Sequence, residues 1–314
     1  KNSGFSEFLY YVRRPIYIFG FLGLTIELAL KYPRFSDWLF TFLCWTTVLT
    51  VVVSFFWFYS EKPFANNRLS LVGDQLQNPV AAGSVLGMVA LVCYYNNLTT
   101  KKQTTWVYLG LLIVTLLAMG LTKSRAPLVA LLVTWTVGSL WTRDKKVLFA
   151  LLGITVLAGF AFFQFSSIKS EITRPGLDIR WDIWKQAVER IQDAPFFGEG
   201  ISTDTLFTVS DGSTWNHTHN VYIGTALYGG LVGLGLLLTL VFVGTRQAIL
   251  FYSREKNFIY LALLLFAGIC MLSGNYRITS HPDAIWLYFW VPMAILAADE
   301  IFSHKQGEQY VRTP

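Results

Sequence analysis

RWDIWKQAVERIQDAPFFGEG, running from Arg180 to Gly200, and HTHNVYIGTALYGGLVGLG, running from His217 to Gly235, are two halves of the stretch around which the 314-residue chain is organised. In the first half Trp181, Trp184, Val188 and Ile191 recur at helical spacing, which predicts a short amphipathic helix on a surface, with Arg180 at its start. Pro195, Gly198 and Gly200 then end it. In the second half His219 and Asn220 stand just ahead of a long apolar run. That order places an imidazole at the N-terminus of a membrane helix, where lipid meets water.

Outside this stretch the chain is apolar. Residues of hydrophobic type make up 54% and charged residues only 14%, far from the balance of a soluble domain. The apolar segments fall at roughly 15 to 30, 38 to 59, 80 to 98, 106 to 122, 126 to 141, 147 to 163, 219 to 243, 257 to 273 and 284 to 301, about nine in all. Their lengths suit helices crossing a bilayer and exclude the short alternating segments of a barrel. The expected fold class is therefore an all-α integral membrane protein, a polytopic helical bundle forming a single transmembrane domain over 1 to 314. The loop from 164 to 218 is too short for a separate globular domain and is expected to form a partly helical lid.

Charge sets the orientation. Lys31, Arg34, Lys101, Lys102, Arg143, Lys145, Lys146, Arg246, Arg254, Lys256, Lys305 and Arg312 fall on one side of the alternating spans, the cytoplasmic side by the positive-inside rule. The net charge of +6 is scattered over loops and not gathered into a stripe, so nucleic acid is not an expected partner; membrane lipids are. Cys44, Cys93 and Cys270 all lie in apolar spans and are expected as buried thiols, not as a disulfide or a metal cluster.

The arginine opening a Trp-containing helix, the Pro-Phe-Phe-Gly-Glu-Gly that follows, the His-Asn pair and the Tyr-Gly-Gly-Leu-Val-Gly-Leu span occur in a specific order. In that order they resemble the large periplasmic loop of the O-antigen ligase and polymerase superfamily, and most of all an O-antigen ligase. The resemblance implies a GT-C-like bundle in the bacterial inner membrane with its active site on the periplasmic side. Members commonly have about a dozen spans, so further N-terminal spans are expected ahead of Lys1. The implied donor is an undecaprenyl-diphosphate-linked glycan. The implied acceptor is lipid A-core for a ligase, another lipid-linked repeat for a polymerase, or a pilin-like side chain for a protein transferase. A flippase for lipid-linked glycans is the competing non-enzymatic reading; it would string its cations along a central cavity and need no base.

Three residues are expected to carry the chemistry. Arg125, in LTKSRAPLVALL, sits where one span ends and the next begins; it either strengthens an anion site at a helix start or anchors the span at the interface. The resemblance favours function, because ligases carry an arginine at the matching Thr-X-Ser/Thr-Arg turn. Arg180 presents a planar fork that matches phosphate oxygens; alone, it would read as a salt-bridge partner of Asp178 or Asp182. His219 maps onto the family's essential histidine and is the expected general base, since a helix N-terminus disfavours the imidazolium.

Further substrate contacts are expected from Arg277, Asp283, Asn220, His217 and Arg68. Asp283 reads equally well as a helix cap. His217 and His219 form a His-X-His without a further usual ligand, so no metal and no cofactor are expected. Gly229, Gly230, Gly233 and Gly235 lie inside a span and are expected to serve close helix packing, not phosphate binding. The chemistry implied by these residues is metal-independent transfer with inversion at the anomeric carbon.

Overall fold

The computed structural model describes residues 3–32, 34–61, 67–73, 76–99, 102–143, 177–274 and 277–312. Apolar runs bounded by short polar turns become helices α1 (Ser3–Lys31), α2 (Phe35–Glu61), α3 (Pro79–Thr99), α4 (Lys102–Leu121) and α5 (Arg125–Thr142). After them come α6 (Leu177–Asp193), the two-residue strands β1 (Phe207–Thr208) and β2 (Thr214–Trp215), α7 (Val221–Glu255) and α8 (Ile259–Cys270). A π-helical turn, Trp286–Trp290, leads into α9 (Val291–Arg312). Helices thus stand at eight of the expected spans; the segment 147 to 163, and residues 164 to 176 of the expected lid, lie outside the described residues.

Three of these helices, over Phe35–Ser60, Pro79–Asn96 and Val221–Glu255, are long and apolar enough to cross a bilayer by length and composition alone. Large apolar side chains such as Trp45, Phe56, Trp57, Leu117, Leu236 and Phe242 stand exposed. Exposure on that scale is a lipid-facing surface and identifies a helical membrane protein. Helix α3 is the central element, with Val85 to Cys93 buried, and packs against α2, α4, α5 and α8. Cys44 and Cys93 meet there as buried free thiols, 3.5 Å apart at sulfur.

Helix α8 is shorter than the span expected at 257 to 273. Twelve residues rise only about 18 Å, less than a bilayer core, and α8 is accordingly lined by protein, not lipid. Its C-terminal end meets the start of α7, where the Val221 N–H donates to the Met271 carbonyl at 2.8 Å.

Helix α7 is also not the plain span expected. Gly230 takes φ 64° and ψ −164°, which breaks the helical ladder, and the loop after α6 fills the break. The N–H groups of Glu199 and Gly200 donate to the Leu227 and Tyr228 carbonyls, while those of Leu231 and Val232 donate to the Pro195 and Phe196 carbonyls. A broken helix is tolerated at this depth because each freed backbone group finds a partner. The expected role of the glycines is therefore corrected. A Cβ at Gly230 would lie 2.2 Å from the Phe196 oxygen and one at Gly198 would lie 2.6 Å from the Gly230 nitrogen, whereas Gly229 and Gly235 face open space. The close approach is between a loop and a helix break, not between two helices. Before the break Val221, Leu227 and Tyr228 are buried; after it Leu231, Val232 and Leu236 are exposed.

Candidate functional site

The site is assembled at the N-terminus of α7. Asn220 is its N-cap, with extended backbone, and its Oδ1 accepts the N–H groups of Tyr222 at 2.9 Å and Ile223 at 3.1 Å. The Thr218 hydroxyl donates to the Asn220 carbonyl at 2.8 Å, and Trp184 Nε1 donates to the Thr218 carbonyl at 2.9 Å. His219 sits between these two clamped residues in the left-handed region, at φ 51°. A side chain rarely adopts that conformation without its surroundings imposing it, so the imidazole is aimed by the fold. The Trp215 ring packs against it at 5.1 Å, edge to face, and the His217 ring lies 3.9 Å away.

Helix α6 brings Arg180 to the same place. Ile183 and Ala187 are fully buried against Phe207, Val209, Leu227 and Tyr228, with Ile179, Trp184 and Ile191 partly buried beside them. The expected stripe was rotated: Trp181 and Val188 are exposed, and only Trp184 and Ile191 of that set face inward. This rotation puts Arg180 and Trp184 one turn apart on the face that meets the site. Arg180 Nη2 donates to the Ser273 carbonyl at 3.1 Å. Asp182 is occupied elsewhere, its Oδ2 accepting the Ser210 N–H at 2.9 Å. At the far end of α6, Arg190 holds Glu199 in a two-pronged ion pair at 2.6 and 2.5 Å, tying the helix to the loop that docks on the α7 break.

Arg125 is the first residue of α5 and is exposed. The preceding turn is braced by Arg68, whose Nε donates to the Thr122 carbonyl at 3.0 Å and whose Nη2 donates to Ser124 Oγ at 2.8 Å. Ser124 in turn donates to the Pro79 carbonyl at 2.8 Å.

Electrostatics shows which of these groups share a site. The Arg180 guanidinium is held below its ordinary value by burial and then by the charge of Arg125. His219 is pushed down to about 3, first by burial, then by His217 and by Arg180. Arg125 is thus within electrostatic reach of Arg180, and Arg180 of His219, although 94 residues separate the first from the last in the sequence. The local potential is positive and the imidazole is neutral. Such a site favours an anion, since negative charge between the guanidinium groups relieves their repulsion.

The remaining expected residues lie around this core. Arg277 stacks over the Tyr228 ring at 4.7 Å and lines a cavity between α1 and α7. Asp283 caps the turn into the last helix, its Oδ1 accepting the Ile285 N–H at 2.9 Å, and burial holds its carboxyl up at about 6. Its charged neighbour is Arg14, not His219. His217 Nδ1 lies 2.6 Å from Asn216 Oδ1. Among the described residues no three His, Cys, Asp or Glu side chains gather where they could hold a metal ion. Sequence reasoning missed Trp215 against His219, the Arg190–Glu199 clamp and the proximity of Arg14 to the 277–283 turn.

The O-antigen ligase family model matches residues 80–238, from the start of α3 to just beyond the break in α7, and so includes Arg125, Arg180 and His219. The chain is 27% identical over 299 residues to an O-antigen ligase of Pseudomonas aeruginosa, across 91% of this chain and 70% of that protein. A protein of Rickettsia conorii named as a polysaccharide ligase is 25% identical over 273 residues, covering 79% of this chain and 62% of the relative. Its namesake from Rickettsia felis is 23% identical over 305 residues, covering 89% and 70%.

Proposed function

The chain belongs to the O-antigen ligase family, and we propose that it transfers a glycan from an undecaprenyl-diphosphate carrier to a hydroxyl of lipid A-core. The observation that carries this reading is an imidazole aimed by its backbone and influenced by Arg180, with Arg125 in turn within electrostatic reach of Arg180. The donor's diphosphate lies between Arg125 and Arg180, whose forks hold the negative charge that grows as the leaving group departs. His219 takes the proton of the acceptor hydroxyl. The acceptor oxygen then forms a bond to the anomeric carbon from the face opposite the diphosphate; the old carbon–oxygen bond breaks, and its electron pair leaves with undecaprenyl diphosphate. One displacement of this kind inverts the anomeric centre.

An imidazole held near 3 is a poor proton acceptor, held there first by burial, then by His217 and last by Arg180. Diphosphate brings negative charge to Arg180 and so removes the smallest of these causes, which moves the imidazole's basicity upward once the donor is bound. No divalent ion is required in this scheme, because the arginines take the electrostatic part that a metal plays in other transferases.

We place the site on the periplasmic face of the bacterial inner membrane, in a GT-C-like bundle of about nine spans within one transmembrane domain, with 164 to 218 as its lid. Reconstitution of the purified protein with lipid-linked glycan and separate candidate acceptors tests the reading. A product on lipid A-core is expected. A product only on a second lipid-linked repeat would make the protein a polymerase, and one only on a pilin-like substrate a protein transferase.

A further inference from the structure

Loop 195–201, which follows α6, turns two large apolar side chains outward: Phe196 is 66% exposed and Phe197 78%. Its backbone is fixed. Four backbone hydrogen bonds lay the loop into the α7 break, and Arg190 holds Glu199 in its ion pair. Adjacent phenyl rings held outward by a fixed backbone form an apolar patch that needs a cover.

Continuity, length and charge identify that cover. The Pro195 and Phe196 carbonyls accept the N–H groups of Leu231 and Val232 at 2.7 and 3.2 Å, so the patch starts where α7 itself turns apolar and exposed, a surface that continues through Leu236 and Phe242. Ile201, also exposed, shares a cavity wall with Gly233 and Leu236 and so meets the same stretch a second time. The 35 residues of α7 would rise about 52 Å, well beyond the roughly 30 Å of a hydrocarbon core, so part of the helix stands outside it. From Leu231 to Arg254 the rise is about 35 Å, enough to cross without the first half. That first half is the covered one, with Val221, Leu227 and Tyr228 buried. The hydrocarbon therefore ends at the Gly230 break, level with Phe196. Between 194 and 203 the one charged residue is Glu199, and its pairing with Arg190 leaves the loop no net charge to desolvate.

We propose that loop 195–201 is a lipid-inserted wedge: Phe196, Phe197 and Ile201 enter the acyl-chain boundary of the leaflet nearest the site, and the bilayer holds the loop in the α7 break. Phenyl rings suit that boundary, where aromatic side chains collect. The wedge fixes the depth of the molecule, because it puts the span of α7 after Gly230 and leaves Val221 to Gly229, with His219 ahead of them, among the headgroups and the water above. It holds whether or not the protein transfers a glycan.

The test uses the full chain in nanodiscs, with a nitroxide label on Phe197→Cys and, separately, on Ile201→Cys. Cys44, Cys93 and Cys270 are buried, which steers the reagent to the introduced thiol. Power saturation compares collisions with oxygen, which concentrates among acyl chains, and with a water-soluble nickel chelate. Labels at 197 and 201 should favour oxygen, as a label on Leu236→Cys does, while one on the exposed Asp211→Cys should favour nickel. In a second measurement Phe197→Asp should speed hydrogen exchange across 195–200 about tenfold, and Phe197→Leu should leave it within about twofold. Labels at 197 and 201 that favour nickel would show the patch in water and overturn the proposal. Shielding from both reagents would overturn it as well, by showing protein over the patch, a second copy of this chain where labels on separate molecules couple. Equal exchange in the two Phe197 variants would show that lipid does not hold the loop in place.

Discussion

Gly230→Ala tests whether the lid depends on the helix break beneath it. The added methyl would lie 2.2 Å from the Phe196 oxygen and 2.5 Å from the Phe197 nitrogen, both backbone atoms that no rotamer change can move aside. Alanine at φ 64° and ψ −164° also occupies a region open essentially to glycine alone, at a cost of about 1–3 kcal/mol. The loop relieves the overlap only by leaving the break, which gives up four backbone hydrogen bonds worth about 0.5–1.5 kcal/mol each. Even at the low end these terms put the lid's docking about 3 kcal/mol lower, about two decades in the docked population. Because Arg190 and Glu199 join that loop to α6, an undocked loop frees Arg180 and Trp184 from their positions beside His219. Transfer should fall at least about tenfold, while hydrogen exchange should accelerate across 195–216 and stay slow in α3 and α8. Gly229→Ala is the control, since its methyl meets nothing within 4 Å. A Gly230→Ala protein with normal transfer and normal protection of 195–216, or equal damage from Gly229→Ala, would refute the reasoning.

His219→Ala should leave donor binding intact and lower transfer by roughly a hundredfold or more, measured in reconstituted vesicles, with His217→Ala much milder. Because His219 is held neutral down to about 3 in the free protein, kcat/KM should show no acid limb from this group between about pH 5 and 7. Arg180→Gln removes a positive neighbour, raises the imidazole's value toward its ordinary one, and should move that limb upward in a pH–rate profile. Arg125→Lys and Arg180→Lys keep charge but lose the fork, so each should retain only part of the activity, with the glutamine variants lower still. Transfer should survive EDTA; loss on chelation with recovery on added magnesium or manganese would reveal a metal site.

The helical bundle was legible because lipid imposes a long apolar run on every span and water imposes polar turns between them, both local properties of the sequence. The corrections arise where protein replaces lipid as the neighbour. Helix α8 is intensely apolar yet short, since its surroundings are α3, α5 and α7, and hydropathy alone does not separate burial in protein from burial in a bilayer. The rotation of α6 failed for a related reason. Trp181 and Val188 complete an apolar stripe in the sequence, but Ile183 and Ala187 lie underneath because the face carrying Arg180 and Trp184 must meet α7.

Legibility at the site follows the same division between local and long-range causes. His219 before Asn220 before an apolar run is a local pattern, and the cap that fixes the imidazole is made within four residues. Arg125 stands out because a charge at a tight turn between two spans is conspicuous. What no window of sequence contains is pairing across the chain. Gly230 reads as a packing glycine until Pro195 to Gly200 is laid into the break, and only then do Gly198 and Gly230 acquire a cause: two backbones meet there with no room for a Cβ on either. The same holds for Arg68, a candidate substrate contact in a polar loop whose guanidinium also braces the turn that presents Arg125. A cation in an extramembrane loop thus carries two meanings, and the hydrogen bonds of its neighbours decide between them. At Arg68 a carbonyl and a buried hydroxyl receive the guanidinium and brace a turn; at Arg180 the Ser273 carbonyl receives one nitrogen, while the charge of Arg125 and an imidazole driven neutral mark the neighbourhood that the transferase reading gives to the donor's diphosphate.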